Sequence, residues 1–483
     1  MSGIFIDLQK IFFKHPFAKF ILTQLNESGF EAVLIGGIVR DAVRSQFENE
    51  YDFDPIEVDI ATSARPEEIK TLFRNHTIVE IGEAFGVLQV IGPDAIPYEV
   101  ATYRVESEYD GRWPGKVELV RNLEGDVKRR DLTVNGLAAD HAGHVIDLVG
   151  GLRDLREKTI RTIGDPDERF REDYLRILRA IRLTCALEGR LMNDVAAAIR
   201  RNSNGLARIS AERIQNEFFR LLGTSNSARG IRLMDELGVL EHTLPELVQC
   251  KGVPQPEKYH PEGDVYTHTL LALGSADKIL KKSEAPLIKL AILLHDLAKP
   301  VALARNQGEH AGGHEVLGAE MAIKIGKRLR LSNEDLRVLH YTVGEHLRIA
   351  KLPEMGRGKQ VQYIKSEEQA GQPVDKISER FGYFSKLLQL MVCDCEASAH
   401  KSSGWLPVLK TFTQRLFQIR ELDELEQARK LLDGHDLISF GMKPGPQIGI
   451  ILETVYEQIH AGKIKTREQA LEAGRLLAEG KTL

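Results

Sequence analysis

The chain has 483 residues, 42% of them hydrophobic and 28% charged, with a formal net charge of -5. That length is too great for one ordinary core and predicts roughly two to four domains. The acidic balance excludes a protein that coats nucleic acid by bulk charge, and leaves local patches, Lys128-Arg129-Arg130 and the run from Arg169 to Arg182.

Residues 17–29 carry apolar positions at helical spacing and stop at Ser28-Gly29. Ala32-Val33-Leu34-Ile35 reads as a short buried strand ending at Gly36-Gly37, and residues 38–46 as a helix. A strand over Val58 to Ala61 leads into a helix start at Ala64-Arg65-Pro66-Glu67-Glu68. Further strands are expected around 87–91, 97–102, 117–120 and 133–138. Residues 1–150 therefore read as a mixed α/β unit, and beyond about 165 helices dominate. The chain divides into a head (1–150), a helical neck and body (151–253), a linker from Pro254 to Pro261, a helical unit (262–400) and a helical tail (401–483).

No stretch is apolar enough to span a bilayer, and Met1 to Phe20 lacks the apolar core of a signal peptide, so a cytoplasmic protein without membrane association is expected. Cys185, Cys250, Cys393 and Cys395 show no zinc-ligand spacing and read as reduced thiols.

Three groups of residues suggest chemistry. A strand ending in two glycines before a helix, with Arg40 on the first turn, can bring Gly37 and its neighbours close to a phosphate; alone, it is equally an ordinary strand–helix turn. Glu57 and Asp59 are two apart, so on a strand they share a face, as paired divalent ions of phosphoryl transfer require; alone, they fit a solvated edge strand. Asp173, Arg176, Arg179 and Arg182 recur every third residue, which puts neighbours on one helical ridge, either as a salt-bridge ladder or as donors and acceptors for a base.

These elements come in an order that resembles the class II CCA-adding enzymes and poly(A) polymerases, of the DNA polymerase beta-like superfamily. The stretches that carry it are Leu34-Ile-Gly-Gly-Ile-Val-Arg-Asp41, Glu57-Val-Asp-Ile-Ala-Thr62, Tyr98-Glu-Val-Ala-Thr-Tyr-Arg104, Lys128-Arg-Arg-Asp-Leu-Thr-Val-Asn135 and Glu172 to Arg182. The tail from Gly434-His-Asp-Leu to Pro446 extends it. The resemblance implies an α+β protein, a polymerase-beta-like nucleotidyltransferase head followed by all-α neck, body, HD and tail regions. It implies addition of CMP, CMP and AMP to tRNA 3′ ends from CTP and ATP without a nucleic-acid template, by in-line attack of the 3′-hydroxyl on the α-phosphorus. Glu57 and Asp59 become the catalytic Mg²⁺ ligands, and Gly37, Arg40 and Arg130 nucleotide contacts. Asp173 and Arg176 become the base readers, with Arg179 and Arg182 touching phosphate or supporting them. Asp131 and Asn135 hold the strand or bind locally, and Glu99 is a candidate third acid. One departure stands out: the family motif is Asp-x-Asp, and here its first carboxylate is Glu57, with Asp52 or Asp54 as less favoured substitutes.

His268, His295, Asp296 and Asp394 follow the His…His-Asp…Asp order that resembles the HD phosphohydrolases, with Tyr259-His-Pro-Glu upstream. This implies a second divalent metal and phosphohydrolase activity on tRNA ends, or a degenerate HD fold that only packs against tRNA; His314, His340 and His346 are candidates for a further ion. Three readings compete with full CCA addition. A poly(A) polymerase is disfavoured because Gly82-Glu-Ala-Phe-Gly86 stands where Gly-Arg-Arg-Phe is expected. A CC-only or A-only enzyme would differ in a specificity loop expected within Glu106 to Pro114. An HD phosphohydrolase with a non-catalytic nucleotide-binding head would explain Glu57. Finally, Pro444-Gly445-Pro446 reads as a rigid stop before a helix.

Overall fold

Why the head holds together is visible in strand β1 (Ala32–Ile35), whose four residues are all buried. Both faces of the strand are covered, so its sequence is a continuous apolar run and not an alternation. Val33 and Ile35 pack with Ala61, Tyr103, Leu123, Val127 and Ala138. On the side of Leu34, the Pro16–Glu27 helix buries Phe17, Ile21, Leu22 and Leu25. The structure, a computed structural model, describes residues 4–48, 50–82, 86–110, 113–258, 260–281, 285–364, 382–398, 403–460 and 463–481. Tyr259, residues 83–85 and residues 111–112, parts of stretches singled out above, lie outside these.

Strands β2 (Asp59–Thr62), β3 (Thr77–Gly82), β4 (Val87–Ile91) and β5 (Pro97–Thr102) follow, then a separate hairpin of β6 (Arg104–Asp110) and β7 (Trp113–Leu119), then β8 (Ala138–Ala139) and β9 (Val145–Ile146). Among the described residues they form a seven-stranded sheet in the order β3-β4-β5-β2-β1-β8-β9. β1 runs antiparallel to β2 (Val33 opposite Ala61) and to β8 (Ile35 opposite Ala138), while β2 runs parallel to β5 with Asp59 opposite Glu99. Of the expected strand over 133–138 only Ala138 pairs, as the first residue of β8. Thr133–Asn135 is a short 3₁₀ turn, because Asp131, Thr133 and Asn135 satisfy their polar groups locally: Thr133 bonds Asp154 at 2.7 Å, and Asn135 bonds Asp131 at 3.3 Å.

Gly36 ends β1 at φ +83°, ψ -133°, and the Gly37–Phe47 helix starts immediately after. A side chain at Gly36 would sit 3.5 Å from an Arg130 guanidinium nitrogen and 3.7 Å from Asp59 Oδ2. The chain therefore reverses with bare backbone facing these two groups.

Beyond the sheet come the helices Pro166–Glu172, Leu175–Ala186, Asn193–Asn202, Ala211–Leu222 and Ser227–Glu236, then Val265–Ile279, Ala285–Leu294, His314–Arg328 and Asn333–Glu345. The expected continuous helix through Glu172 to Arg182 is broken. Asp165 caps the Pro166–Glu172 helix, Asp173 leaves it at φ -153°, and a new helix begins at Leu175. The buried Lys289 ammonium donates to Thr224 O (2.7 Å) and Asp277 Oδ1 (2.6 Å). Asp277 in turn accepts from Ser227 Oγ (2.6 Å) and the Ala228 N–H (3.0 Å), so it caps the Ser227–Glu236 helix from another element.

By internal contacts, Met1–Glu345 with Val392–Ser402 make one unit, and His346–Met391 with Ser403–Leu483 another. The second unit has its own core of Leu432, Leu437, Val455, Ala470 and Ala473. There Asp433 caps the Gly434–Ser439 helix, and Pro446 opens the Pro446–His460 helix. The four cysteines are buried and free of disulfides, and burial pushes the thiols of Cys185, Cys250 and Cys393 up to about 12. Among the described residues no helix is long and apolar enough to cross a membrane.

The Gly36 geometry gives a direct expectation. Gly36→Ala forces an L-residue into backbone space that essentially only glycine occupies, at a cost of about 1–3 kcal/mol. Urea denaturation of the wild type and the variant should show that loss.

Candidate active site

The turn at Gly36, the start of β2 and the Leu175–Ala186 helix border one open cleft of about 670 Å³. Gly37, Arg40, Glu57, Asp59, Arg130, Arg176, Arg179 and Arg182 all line it, as do Glu99 and Asp131. Asp173 does not line it.

Asp59 is the first residue of β2, so Glu57 lies on the extended segment before the strand and not within it as expected. Val58 between them is buried, so both carboxylates still turn away from the core. Asp59 is accessible along the cleft, yet the walls crowd it: desolvation raises its pKa, opposed by the Arg130 guanidinium. Glu99, its register partner, is also raised, first by desolvation and then by the Asp59 charge. Glu57 is exposed and reaches within 3.7 Å of Arg220. Of the substitutes considered for it, Asp54 lines the cleft but pairs with Lys14 at 2.6 Å, while Asp52 pairs with Lys10 at 3.2 Å and does not line it.

The arginines are held by carboxylates. Arg40 donates twice to Asp41, at 2.8 Å each, and once to Asn135 Oδ1 at 2.6 Å. Arg129 and Arg130 both pair with the buried Asp126, at 2.7 and 3.1 Å. Arg179 donates to the buried Asp131 at 2.8 Å and approaches Glu217 at 3.5 Å, and Arg182 pairs with Glu217 at 2.7 Å. Arg176 pairs with Glu172. Asp173 accepts two hydrogen bonds from Arg213, at 3.2 and 2.6 Å. Sequence reasoning missed Asp126, Arg213 and Glu217. Arg213 and Glu217 sit four apart on the Ala211–Leu222 helix, and a glutamate beside the apolar Phe218, Leu221 and Leu222 was the available signal.

The HD residues also converge. His268 Nε2 is 2.8 Å from Asp394 Oδ1, and His295 Nε2 is 3.9 Å from the same oxygen and 3.3 Å from Asp296 Oδ2. His314 Nε2 is 3.1 Å from Asp296 Oδ1, and Lys299 donates to Asp296 Oδ2 at 2.5 Å. His268, His295 and Asp296 present ligand atoms within 4.8 Å of one another, all from buried residues. Two imidazoles and two carboxylates suit a divalent transition metal. Burial pushes His268 down, and the Asp394 carboxylate more than reverses that. His340 is exposed on its helix, and His346 belongs to the second unit.

Burial alone would raise Asp131, but the Arg179 guanidinium beside it outweighs that and holds it well below the usual carboxylate range. A depressed carboxyl contributes stability above its unfolded pKa of about 4, lost as pH falls through the lower folded value. Asp131→Asn should therefore cost about 2–3 kcal/mol at pH 7, discounted because a third of Arg179 meets water. The gap from wild type should narrow below about pH 4. Denaturation at pH 7 and at pH 3 checks both statements, and a gap independent of pH would trace the loss to packing instead.

Comparison with known proteins follows this geometry. A profile described as the poly A polymerase head domain matches residues 32–161, one described as the probable RNA and SrmB-binding site of polymerase A matches 190–250, and an HD domain profile matches 265–377. A CCA-adding enzyme of Ligilactobacillus salivarius is 45% identical over 214 residues, 44% of this chain and 50% of its own length, so this match spans about half of that relative. A CCA-adding enzyme of Streptococcus pyogenes serotype M2 is 31% identical over 467 residues, 94% of each chain. The structure of the Bacillus stearothermophilus CCA-adding enzyme in complex with CTP shares the fold, with a TM-score of 0.61 at 24% identity over 96% of this chain and 98% of that one. On the strength of a match along nearly its whole length, the chain belongs to the family of CCA-adding enzymes.

Proposed function

We propose that this protein is a nucleotidyltransferase that adds CMP, CMP and AMP to the 3′ end of tRNA, using CTP and ATP without a template. One observation carries the reading: Asp59, Glu57 and Glu99 line the same cleft as Arg176, Arg179 and Arg182, beside the Gly36–Gly37 turn. Asp59 and Glu57 are oxygen donors of the kind Mg²⁺ selects, and they would hold it. When bound, Mg²⁺ stabilises charge on the attacking and leaving oxygens. The protein's own part is position and choice. Gly37 and its neighbours offer helix N-terminal N–H groups to a phosphate, and Arg40 and Arg130 flank that place.

Base choice rests with Arg176 and Asp173. Arg176 already lines the cleft, whereas Asp173 is held by Arg213 and joins only when its carboxylate turns from that partner. Arg179 and Arg182, locked through Glu217, support them. A base that leaves these polar groups unpaired is rejected strongly. We assign the head to 1–150, the neck and body to 151–253, the HD region to 262–400 and the tail to 401–483. A cytoplasmic setting agrees with four buried thiols and no disulfide.

A second activity is supported by the convergence of His268, His295, Asp296 and Asp394. We propose that they hold a divalent metal and hydrolyse phosphate esters at tRNA ends. Metal analysis, with His295→Ala assayed on a 2′,3′-cyclic phosphate, tests this: loss of both metal and hydrolysis is expected.

Three measurements test the head. Glu57→Ala should lower kcat by about 10²-fold or more while Glu57→Asp stays active, because several kcal/mol of charge stabilisation depend on a ligand at this position. If both are silent, Glu57 is not a ligand. Arg176→Ala should relax the preference for CTP and ATP more than it weakens triphosphate binding, and unchanged selectivity would remove its role. Purified protein incubated with tRNA lacking its CCA end, CTP, ATP and Mg²⁺ should give +CCA. Products of +CC, +A or long poly(A) would each name a different enzyme, and no product would leave only the HD reading.

A further inference from the structure

Next to the HD cluster lies a carboxylate that the His…His-Asp…Asp pattern does not include. Glu262 Oε1 is 2.6 Å from His268 Nδ1, 2.9 Å from His260 Nδ1 and 3.4 Å from the Ser398 hydroxyl. The His260 and His268 rings meet edge to face with centroids 4.7 Å apart. Glu262 Oε2 is buried and, among the described residues, has no hydrogen-bond partner.

A carboxylate only accepts hydrogen bonds, so the Nδ1 atom of His268 carries a proton toward Glu262. With Nδ1 held there, the ring presents Nε2 to Asp394 Oδ1 at 2.8 Å and lies beside the His295 ring. We infer that Glu262 is a positioning residue for a divalent metal: it sets the His268 ring and strengthens Nε2 as a donor, with His260 and Ser398 fixing Glu262 in turn. Partners of this kind on metal-binding histidines orient the ring and raise its basicity. The bare Oε2 adds a second reason, since a carboxylate present only for packing would have both oxygens satisfied or solvated. The inference rests on the metal reading of the HD cluster given above.

Co²⁺ titrated into the metal-free full-length protein, followed by its visible d–d absorption, reports affinity and ligand field together. His295→Ala identifies the part of the signal that belongs to this cluster and separates it from ions held by the head. Glu262→Gln keeps the shape and removes the charge; it should weaken His295-dependent Co²⁺ binding about 10–100-fold and alter the band. Glu262→Asp, which keeps the charge, should recover part of the affinity, a rescue that a purely packing role would not give. Far-UV circular dichroism checks the fold of each variant, and His260→Ala, expected to weaken binding less, reads the same relay if Glu262→Gln does not fold. Unchanged affinity and spectrum in Glu262→Gln would overturn the positioning role alone. Absence of any His295-dependent Co²⁺ signal in the wild type would overturn the metal reading and this inference with it.

Discussion

The ion pair between Asp131 and Arg179 sets the geometry on which the cleft depends. Asp131 follows the helix that covers the sheet, and Arg179 lies on the second turn of the Leu175–Ala186 helix, so one 2.8 Å contact ties the sheet to the helical neck. Asp131 also accepts the Leu132 N–H at 2.8 Å and binds Asn135, and Asn135 holds Arg40 on the helix after the glycine turn. On the other side Arg179 meets Glu217, which takes Arg182. A buried pair of this kind adds little net stability over an apolar one, but breaking it is costly, so it fixes a single register between the parts it joins.

The head's carboxylates and the buried histidine–aspartate cluster differ in ways that follow from their surroundings. The head's carboxylates sit at a strand start beside an open cleft, offer oxygen only, and sense each other's charge. The HD residues are buried among apolar helices, and every one has a partner of opposite or complementary character. An apolar segment such as Leu293-Leu294 tolerates His295 and Asp296 only because the neighbouring elements bring His268, His314, Lys299 and Asp394 to them.

Much of this was legible in the chain. The uninterrupted apolar run Ala32–Ile35, the glycines after it and the His295-Asp296 pair directly after an apolar run are local signals, and local signals survive in a single sequence. The break at Asp173 was not legible, since the spacing of Asp173, Arg176, Arg179 and Arg182 is helical throughout; the capping of one helix by Asp165 and the extended backbone of Asp173 override it. Nor was the loss of most of the strand over 133–138, where polar side chains bond nearby backbone and each other instead of leaving the segment to a ladder. Arg213 and Glu217 escaped notice because their partners, Asp173 for the one and Arg179 with Arg182 for the other, are distant in sequence, which no spacing rule reports.

The arginines of the cleft have a consequence for how it meets a polyanion. Arg40, Arg104, Arg129, Arg130, Arg176, Arg179 and Arg182 pair with Asp41, Glu106, Asp126, Asp131, Glu172 and Glu217, Glu106 serving two of them, and Arg220 reaches Glu57. The wall is dense in charge yet close to electrically neutral, in keeping with the acidic balance of the whole chain. Such a surface releases few counterions when a polyanion approaches, so it gives little affinity to an arbitrary strand and little salt sensitivity to binding at this place. It recognises by the direction of its dipoles, and a ligand gains only where its own groups match bonds that are already aimed.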